Sequence, residues 1–326
     1  MLSVFDVPSK FRSGPFARAE ALEAGISARV LEGAQFVRLH EAVYRHRDHE
    51  MTFADRVAAA RIALPSAART TGITRLQELG LDYGPLSPIH FVVAADHHLR
   101  ISEVFLHRTV LMPASDELGV SVEVAFVAYC VQARVIDVIK VGSMLLHLGW
   151  MSEPALAALV SGQPWRHGCS EARWVTEHLD GRCRSMPEAE LLTLIRFSGL
   201  PEPDVNAELR APDGGLVIPD LWYAALRQAV EYEGSHHQQV RRQYVADIDR
   251  YLVFRTMRIS YLQITKERLR RPRLAVRQVH QALVQAGFDG PGPDFGERWT
   301  MLFRTLSDVV RSPAPAKEVR EPHSAA

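Results

Sequence analysis

The sequence is poor in cysteine, with only Cys130, Cys169 and Cys183 among 326 residues. An odd number this small cannot build a disulfide framework, and it is typical of a protein from a reducing cytoplasm. No stretch reaches the roughly 18 apolar residues that a membrane span needs, and the N-terminus has no apolar segment of the signal-peptide kind. We therefore expect a cytoplasmic protein without a membrane partner.

The sequence also has no excess charge of either sign. Lys plus Arg equals Asp plus Glu at 38 each, and the formal net charge is +0. The net charge therefore gives no support for a generally basic nucleic-acid binder, and any such surface must be local. One local basic run, 268–273, is either a solvated helix face or a surface that follows a nucleic-acid backbone.

Apolar residues make up 47% of the chain, which is enough for packed cores. The length predicts two or three domains, and the order of helix and strand patterns described below predicts a mixed α+β class. We divide the sequence into four segments: a winged-helix-like module over 1–50, a mixed and mostly helical region over 51–180, a restriction-endonuclease-like domain over 181–290, and a C-terminal segment with a disordered tail over 291–326.

The first segment predicts two short helices followed by a strand pair. Residues 17–24 form the first helix, which Gly25 ends, and Ser27 can cap the second. Two short alternating runs, 36–39 and 42–45, then predict a hairpin. This outline is that of a winged helix, in which exposed arginines would contact DNA phosphates. The candidates are Arg29, Arg38, Arg45 and Arg47.

Beyond residue 50 the pattern alternates between helices and strands. In the middle region it predicts helices over 53–62, 67–79 and 122–148, and strands over 90–94 and 104–110. From residue 185 it predicts the order α-β-β-β-α-β-α. The strands of this order cover 205–209, 216–223, 229–233 and 259–264, and the last two helices cover 236–256 and 265–287.

Three carboxylates in this C-terminal order could meet at one metal site. Glu231 and Glu233 point to the same face of a strand, and a short hairpin turn would bring Asp220 beside them. Such oxygen ligands suit Mg²⁺ or Mn²⁺, which can support phosphodiester hydrolysis. Glu188 could be a fourth carboxylate, and His237 or its neighbour His236 could position water or donate a proton.

Simpler interpretations of the same residues remain open. The segment 231–233 could be the solvated face of an amphipathic strand. Glu188 follows Ser185 at capping-box spacing, which is a sufficient structural role by itself. The histidine pair after Gly234 could be no more than a helix start.

A broader pattern links these residues. It reads Ser185 to Glu188, Gly199 to Asn206, Asp220, Val230 to His237 and Asp247 to Arg250. This combination resembles a group of bacterial domains related to the very-short-patch-repair endonucleases, within the PD-(D/E)xK nuclease superfamily. The resemblance implies that Asp220 and Glu231 occupy the metal-binding positions, that Glu233 stands in the place of the superfamily lysine, and that His237 has a functional role.

The sequence departs from that group at three places. No lysine follows Glu231, so the group that usually helps to activate water is absent. Gln263 stands where relatives often carry an arginine, and Arg258-Ile259 stands where many have glycine and tryptophan. These departures are what a domain that keeps its fold and loses catalysis would show.

The N-terminal pattern Gly25-Ile26-Ser27, a short helix and then Val43-Tyr44-Arg45 resembles the winged-helix start of AbiEi-type antitoxins of type IV toxin–antitoxin systems. The resemblance implies DNA binding and a toxin partner. The two resemblances together predict a metal-dependent DNA endonuclease-like protein. The alternative is a non-catalytic DNA-binding regulator or antitoxin that retains a degenerate nuclease fold.

Overall fold

The computed structural model describes residues 7–95, 99–211, 214–233 and 252–312. Contacts between Cα atoms divide the chain into two compact units, Met1–Tyr129 and Cys130–Ala326. Both units contain helices and strands, which confirms the expected α+β class. The boundary between the two units falls inside the segment 51–180, which we treat as one region on the basis of the sequence.

The elements of the first unit alternate between short helices and short strands. Its helices are α1 (Arg18–Glu23), α2 (Ala28–Leu31), α3 (Phe53–Ala63), α4 (Gly72–Glu78) and α5 (Val122–Cys130), which runs to the boundary. Its strands are β1 (Pro15–Ala17), β2 (Phe36–His40), β3 (Val43–His46), β4 (Arg69–Thr70), β5 (Ile89–Val93) and β6 (Val104–Arg108).

The N-terminal module is a three-stranded antiparallel sheet with two short helices. The predicted helices and hairpin are present, and β1 joins them to give the strand order β1-β3-β2. Ser27 lies at the N-cap of α2, although its side chain makes no capping hydrogen bond. The core consists largely of aromatic rings: Phe16 packs edge-on against Phe11 at 4.8 Å and against Phe36 at 5.7 Å.

A second small sheet follows, in the order β4-β5-β6. Strands β5 and β6 are parallel, whereas β4 pairs antiparallel with β5. The predicted helix over 67–79 is wrong in its first half, because Arg69 and Thr70 pair with Val92 and Phe91 as a strand. The helix begins only at Gly72, since cross-strand pairing overrides a local helical pattern.

The second unit combines a helical part with a mixed sheet. Its helices are α6 (Val135–His147), α7 (Glu153–Gly162), α8 (Cys169–Thr176), α9 (Met186–Phe197), α10 (Lys266–Leu269), α11 (Pro272–Gln285), α12 (Glu297–Met301) and α13 (Leu306–Arg311), and residues 252–256 are also helical. Its strands are β7 (Asp204–Val205), β8 (Leu209–Arg210), β9 (Leu216–Val217), β10 (Leu221–Tyr223), β11 (Gln228–Glu233) and β12 (Ser260–Thr265). Across the described ranges, no helix is both long and apolar enough to pass through a bilayer.

The main sheet of this unit has four strands in the order β12-β11-β10-β7. Strands β11 and β12 are parallel, and the other neighbours are antiparallel. The expected strand 205–209 is wrong as one piece, because Asn206 takes a positive φ of 51° and ends β7. The expected strand 216–223 is also split, since Pro219 cannot donate a ladder hydrogen bond.

The helices beyond the sheet differ from expectation in two places. The single helix expected over 265–287 is two helices, because Pro272 opens a new first turn as α11. Helices α12 and α13 lie in the segment 291–326, for which the sequence suggested no regular structure. Thr305 caps α13 by accepting a hydrogen bond from the Asp308 amide. A threonine three residues before an aspartate is a helix-start signal that could have predicted this helix. The tail beyond residue 312 lies outside the described residues.

A buried carboxylate ties α9 to the loop that precedes it. The Asp180 side chain accepts hydrogen bonds from Arg182 Nη2 and Arg196 Nη2, each at 2.8 Å, and Arg196 Nε also donates to Glu202 at 2.7 Å. Burial works to raise the pKa of Asp180, but the hydrogen bonds from Arg182 and Arg196 outweigh it, so its pKa lies below the ordinary value.

We expect Asp180→Asn to lower the free energy of unfolding by roughly 3 kcal/mol, because Arg196 loses a buried counter-charge. Since the folded-state pKa is depressed, this stabilisation is present above the unfolded-state pKa and disappears as pH falls through the folded-state value. Urea denaturation at neutral and acid pH measures both effects. Asp289→Asn, at an exposed carboxylate, is the matched control; equal losses in the two variants would contradict the assignment.

Candidate functional site

Strand register and one backbone hydrogen bond place four polar residues at neighbouring positions of the main sheet. Glu231 on β11 pairs directly with Gln263 on β12. Asp220 directly precedes Leu221, which pairs with Val205 on β7 and with Val230 on β11. Asn206 directly follows Val205, and its N–H donates to the Asp220 carbonyl at 3.0 Å. The row consists of Asn206, Asp220, Glu231 and Gln263. Residues opposite each other across a sheet lie on the same face, so these four form one candidate site.

Asp220 lies where β10 and β11 separate. Its Oδ2 accepts a hydrogen bond of 2.7 Å from the backbone N–H of Tyr232. Pro219 would face Tyr232 if the ladder continued, but proline has no N–H to exchange. The carboxylate therefore takes over one ladder hydrogen bond and holds its own position at the opening between the strands.

Glu231 is the most buried member of the row, with 4% of its surface exposed. Half-buried Asp220 lies one residue beyond the paired end of β10, next to Leu221, which pairs with Val230. Carboxylates that come close together repel each other unless a proton or a cation is shared, and burial increases the repulsion. Asp220 and Glu231 have the oxygen donors that a hard divalent cation prefers.

Glu188 has a structural position at the start of α9. Its Oε2 accepts hydrogen bonds from the Arg184 amide at 2.9 Å and from Asn206 Nδ2 at 3.1 Å, while its Oε1 accepts from the Ser185 hydroxyl at 2.8 Å. The Ser185 hydroxyl in turn accepts from the Glu188 amide. Ser185 therefore caps α9 as its spacing predicts, but the Glu188 carboxylate accepts from the Arg184 amide instead of closing a capping box on the Ser185 amide. Glu188 contacts the row by holding Asn206.

Asn206 and Gln263 are the members of the row that the sequence did not identify as site residues. Asn206 donates to Glu188 and, at 2.8 Å, to the Arg182 carbonyl, so it links α9 to the sheet. Asn206 lies inside the motif quoted above, and asparagine tolerates the positive φ found there. These two signals could have identified it. Gln263 is recognised as a neighbour of Glu231 only from the pairing of β11 with β12.

The remaining expected members of the site are less well placed. Glu233 pairs with Thr265 at the end of β11 and is half-buried. Within the part of the chain that the structure describes, no three or more His, Cys, Asp or Glu side chains are grouped as a metal site. The full convergence expected for Asp220, Glu231 and Glu233 is thus not seen, because Asp220 turns toward the Tyr232 amide. His236 and His237 lie outside the described residues.

The four arginines expected to contact DNA have different surroundings. Arg29, Arg38 and Arg47 are exposed. Arg45 is half-buried, and its Nη1 donates to the carbonyls of His46, Arg47 and His49 at 2.9, 2.7 and 2.8 Å. It therefore stabilises the turn after β3, which argues against a phosphate-contacting role.

Register also separates Arg38 from Arg45. Arg38 pairs with Tyr44 and Arg45 with Val37, so the two arginines lie on opposite faces of the small sheet. The four arginines therefore do not share one face. The exposed arginines of the module that can contact a polyanion are Arg29, Arg38 and Arg47.

Comparison with known proteins adds no relative: no protein-family model, no curated protein and no solved structure matches this chain. The resemblances to the very-short-patch-repair group and to AbiEi-type antitoxins therefore remain predictions from the quoted motifs.

We expect Asn206→Ala to lower the free energy of unfolding by roughly 2–3 kcal/mol, because Glu188 loses a buried donor and alanine is strained at a positive φ. Asn206→Gly removes the same side chain without that strain, so its loss should be about 1 kcal/mol smaller. Chemical denaturation of both variants measures the difference. Wild-type stability in Asn206→Ala would show that the link to α9 carries no energy.

Proposed function

We propose that this protein binds DNA and hydrolyses phosphodiester bonds at a metal-dependent, endonuclease-like site built on Asp220 and Glu231. The observation that carries the proposal is the position of these two carboxylates: Glu231 is buried on β11, and Asp220 directly precedes the neighbouring strand β10 and accepts a hydrogen bond from the Tyr232 amide. Acidic side chains that are placed near each other and shielded from solvent lower the stability of the fold, and such groups are typical of functional sites. The order of helices and strands around the sheet supports the resemblance to PD-(D/E)xK nucleases.

The row supplies distinct chemical functions. Asp220 and Glu231 offer oxygen ligands for Mg²⁺ or Mn²⁺, and Glu233 is a third candidate at the same end of β11. Such an ion, when bound, polarises the phosphoryl group and lowers the pKa of a water molecule. Gln263 lies beside Glu231 as a neutral hydrogen-bonding group. In the absence of a lysine after Glu231, we assign proton transfer or the positioning of water to His237.

The N-terminal module is proposed to hold the DNA. The strand order β1-β3-β2, with two short helices before the hairpin, supports a winged helix. Arg29 on α2, Arg38 on β2 and Arg47 after β3 are exposed and can contact phosphates, which position a protein on DNA without selecting a sequence. The choice of site would then depend on other contacts.

A specific observation favours a second function, that of a non-catalytic DNA-binding regulator or antitoxin with a toxin partner. Asp220 Oδ2 holds the Tyr232 amide, and both oxygens of Glu188 serve the cap of α9. Glu233 moreover replaces the superfamily lysine. A sheet of this kind could keep its carboxylates for structure alone.

We expect purified protein to nick or cleave plasmid DNA in the presence of Mg²⁺ or Mn²⁺, and Asp220→Ala and Glu231→Gln to reduce the rate at least about a hundredfold. Gel electrophoresis of the plasmid measures the rate. Asp204→Asn, at an exposed carboxylate on β7 of the same sheet, should keep wild-type activity.

Calorimetry with the same ions separates the two functions. Metal binding that Asp220→Ala abolishes, together with cleavage, supports the nuclease. DNA binding without cleavage and without metal binding would exclude the nuclease and leave the regulator.

We expect the double substitution Arg29→Ala/Arg47→Ala to weaken binding to duplex DNA. Each phosphate contact that is lost means that fewer counterions are released when the protein binds. The slope of log K against log salt should become shallower by about 0.9 per contact, or about 1.8 for both. Fluorescence anisotropy over a salt series measures the slope. Arg108→Ala, at an exposed arginine on β6, is the control, and an unchanged slope in the double variant would reject this surface.

A further inference from the structure

A groove with apolar and basic walls lies between α11 and α12 in the second unit. Its volume is about 610 Å³, within the ~300–1,000 Å³ range usual for small-ligand sites. Leu274 and Arg277 line one side and Trp299 and Phe303 the other. Leu274 and Phe303 are 41% and 38% exposed, so apolar surface faces solvent next to a strong positive charge.

Three aromatic rings stand in contact on the α12 side: Phe303 lines the groove and is 38% exposed, Trp299 beneath it is buried, and Phe295 is half-buried beside the groove. Phe295, Trp299 and Phe303 follow one another at four-residue intervals, with ring centroids 4.8 and 5.7 Å apart in edge-to-face contact. The guanidinium carbons of Arg273 and Arg277 each lie 5.5 Å from the Phe295 ring. Arginine planes held against aromatic rings provide flat stacking surfaces as well as charge.

Positive charge is concentrated on this surface. Residues 266–277 contain six Lys or Arg and one acidic residue, a net charge of +5, whereas the whole chain is neutral. Arg271, Arg273 and Arg277 are all exposed. Among the residues described, none of these three forms an ion pair with a carboxylate. Their charge is therefore open to a partner.

The opposite face of α11 explains why these arginines point outward. Ala275, Val276, Val279 and Leu283 are fully buried. Helical periodicity then leaves Arg273, Leu274 and Arg277 on the outer face. Exposed Leu274 and Phe303 lie beside arginines for which the described part of the chain provides no ion-pair partner, so the surface combines apolar area with positive charge.

We propose that this arginine–aromatic groove binds single-stranded nucleic acid. Positive charge follows the phosphates, and aromatic or guanidinium planes stack on unpaired bases, which is the usual chemistry of single-strand binding. A duplex hides its base faces inside the stack and would use the arginines but not Phe303. The groove is separate from the Asp220–Glu231 row, and its binding does not depend on cleavage there.

The test uses the full chain and a fluorescein-labelled oligothymidine 20-mer, with binding measured by fluorescence anisotropy. Arg273→Glu/Arg277→Glu should weaken binding more than tenfold, and Phe303→Ala about tenfold. Arg210→Glu/Arg311→Glu changes the net charge equally at two exposed arginines that do not line the groove. The groove variant should lose at least tenfold more affinity than this control.

Circular dichroism tests whether each variant is folded. If the double charge reversal does not fold, Arg271→Glu and Phe303→Ala decide the question, because both side chains are exposed. Equal affinity of wild type and groove variants for the oligonucleotide would overturn the proposal. So would displacement by polyglutamate as effective as by unlabelled oligothymidine, since this would identify an acidic-protein docking surface.

These outcomes are distinguishable from those for the proposed function. Plasmid cleavage depends on Asp220, and duplex binding depends on Arg29 and Arg47, whereas the oligothymidine assay depends on the groove. Failure of one therefore leaves the others unaffected.

Discussion

The hydrogen bond from the Tyr232 amide to Asp220 Oδ2 is the interaction on which the candidate site depends. Proline at 219 ends the regular ladder, and the carboxylate replaces the missing partner, so β10 and β11 separate at a fixed point. If this register slipped by one residue, Asp220 and Glu231 would move to opposite faces of the sheet. The carboxylate pair therefore exists only because the register is fixed.

Hydrogen bonds from α9 and from the loop before it hold the Asn206 end of this row in place. Asn206, which follows β7, is held by Glu188 at the start of α9, while Asp180 ties the preceding loop to α9 through Arg196. Polar groups thus form a connected network from the buried helix to the strand openings. Such networks are costly when incomplete, so Glu188 at the start of α9 is held by hydrogen bonds to both of its oxygens.

Charge is distributed locally in a chain that is neutral overall. Exposed arginines lie on the N-terminal module, and a second basic surface lies on α11 beside aromatic rings. Since electrostatic attraction falls off within about 10 Å at 0.1 M salt, a neutral total does not weaken either surface. The two differ in chemistry, because only the second combines charge with stacking planes.

The sequence by itself determined the α+β class, the hairpin of the N-terminal module, the cap of α9 and the strands β11 and β12, because periodicity, capping residues and turns act over a few neighbours. It also predicts Asp220 and Glu231 as site residues, through a motif. Tertiary structure decided the rest. Cross-strand pairing converted Arg69–Thr70 into a strand, a positive φ at Asn206 ended β7, and the guanidinium of Arg45 was turned to three carbonyls. The row that joins Asn206 and Gln263 to the carboxylates depends on which strands lie side by side, and that is a long-range property no local pattern encodes.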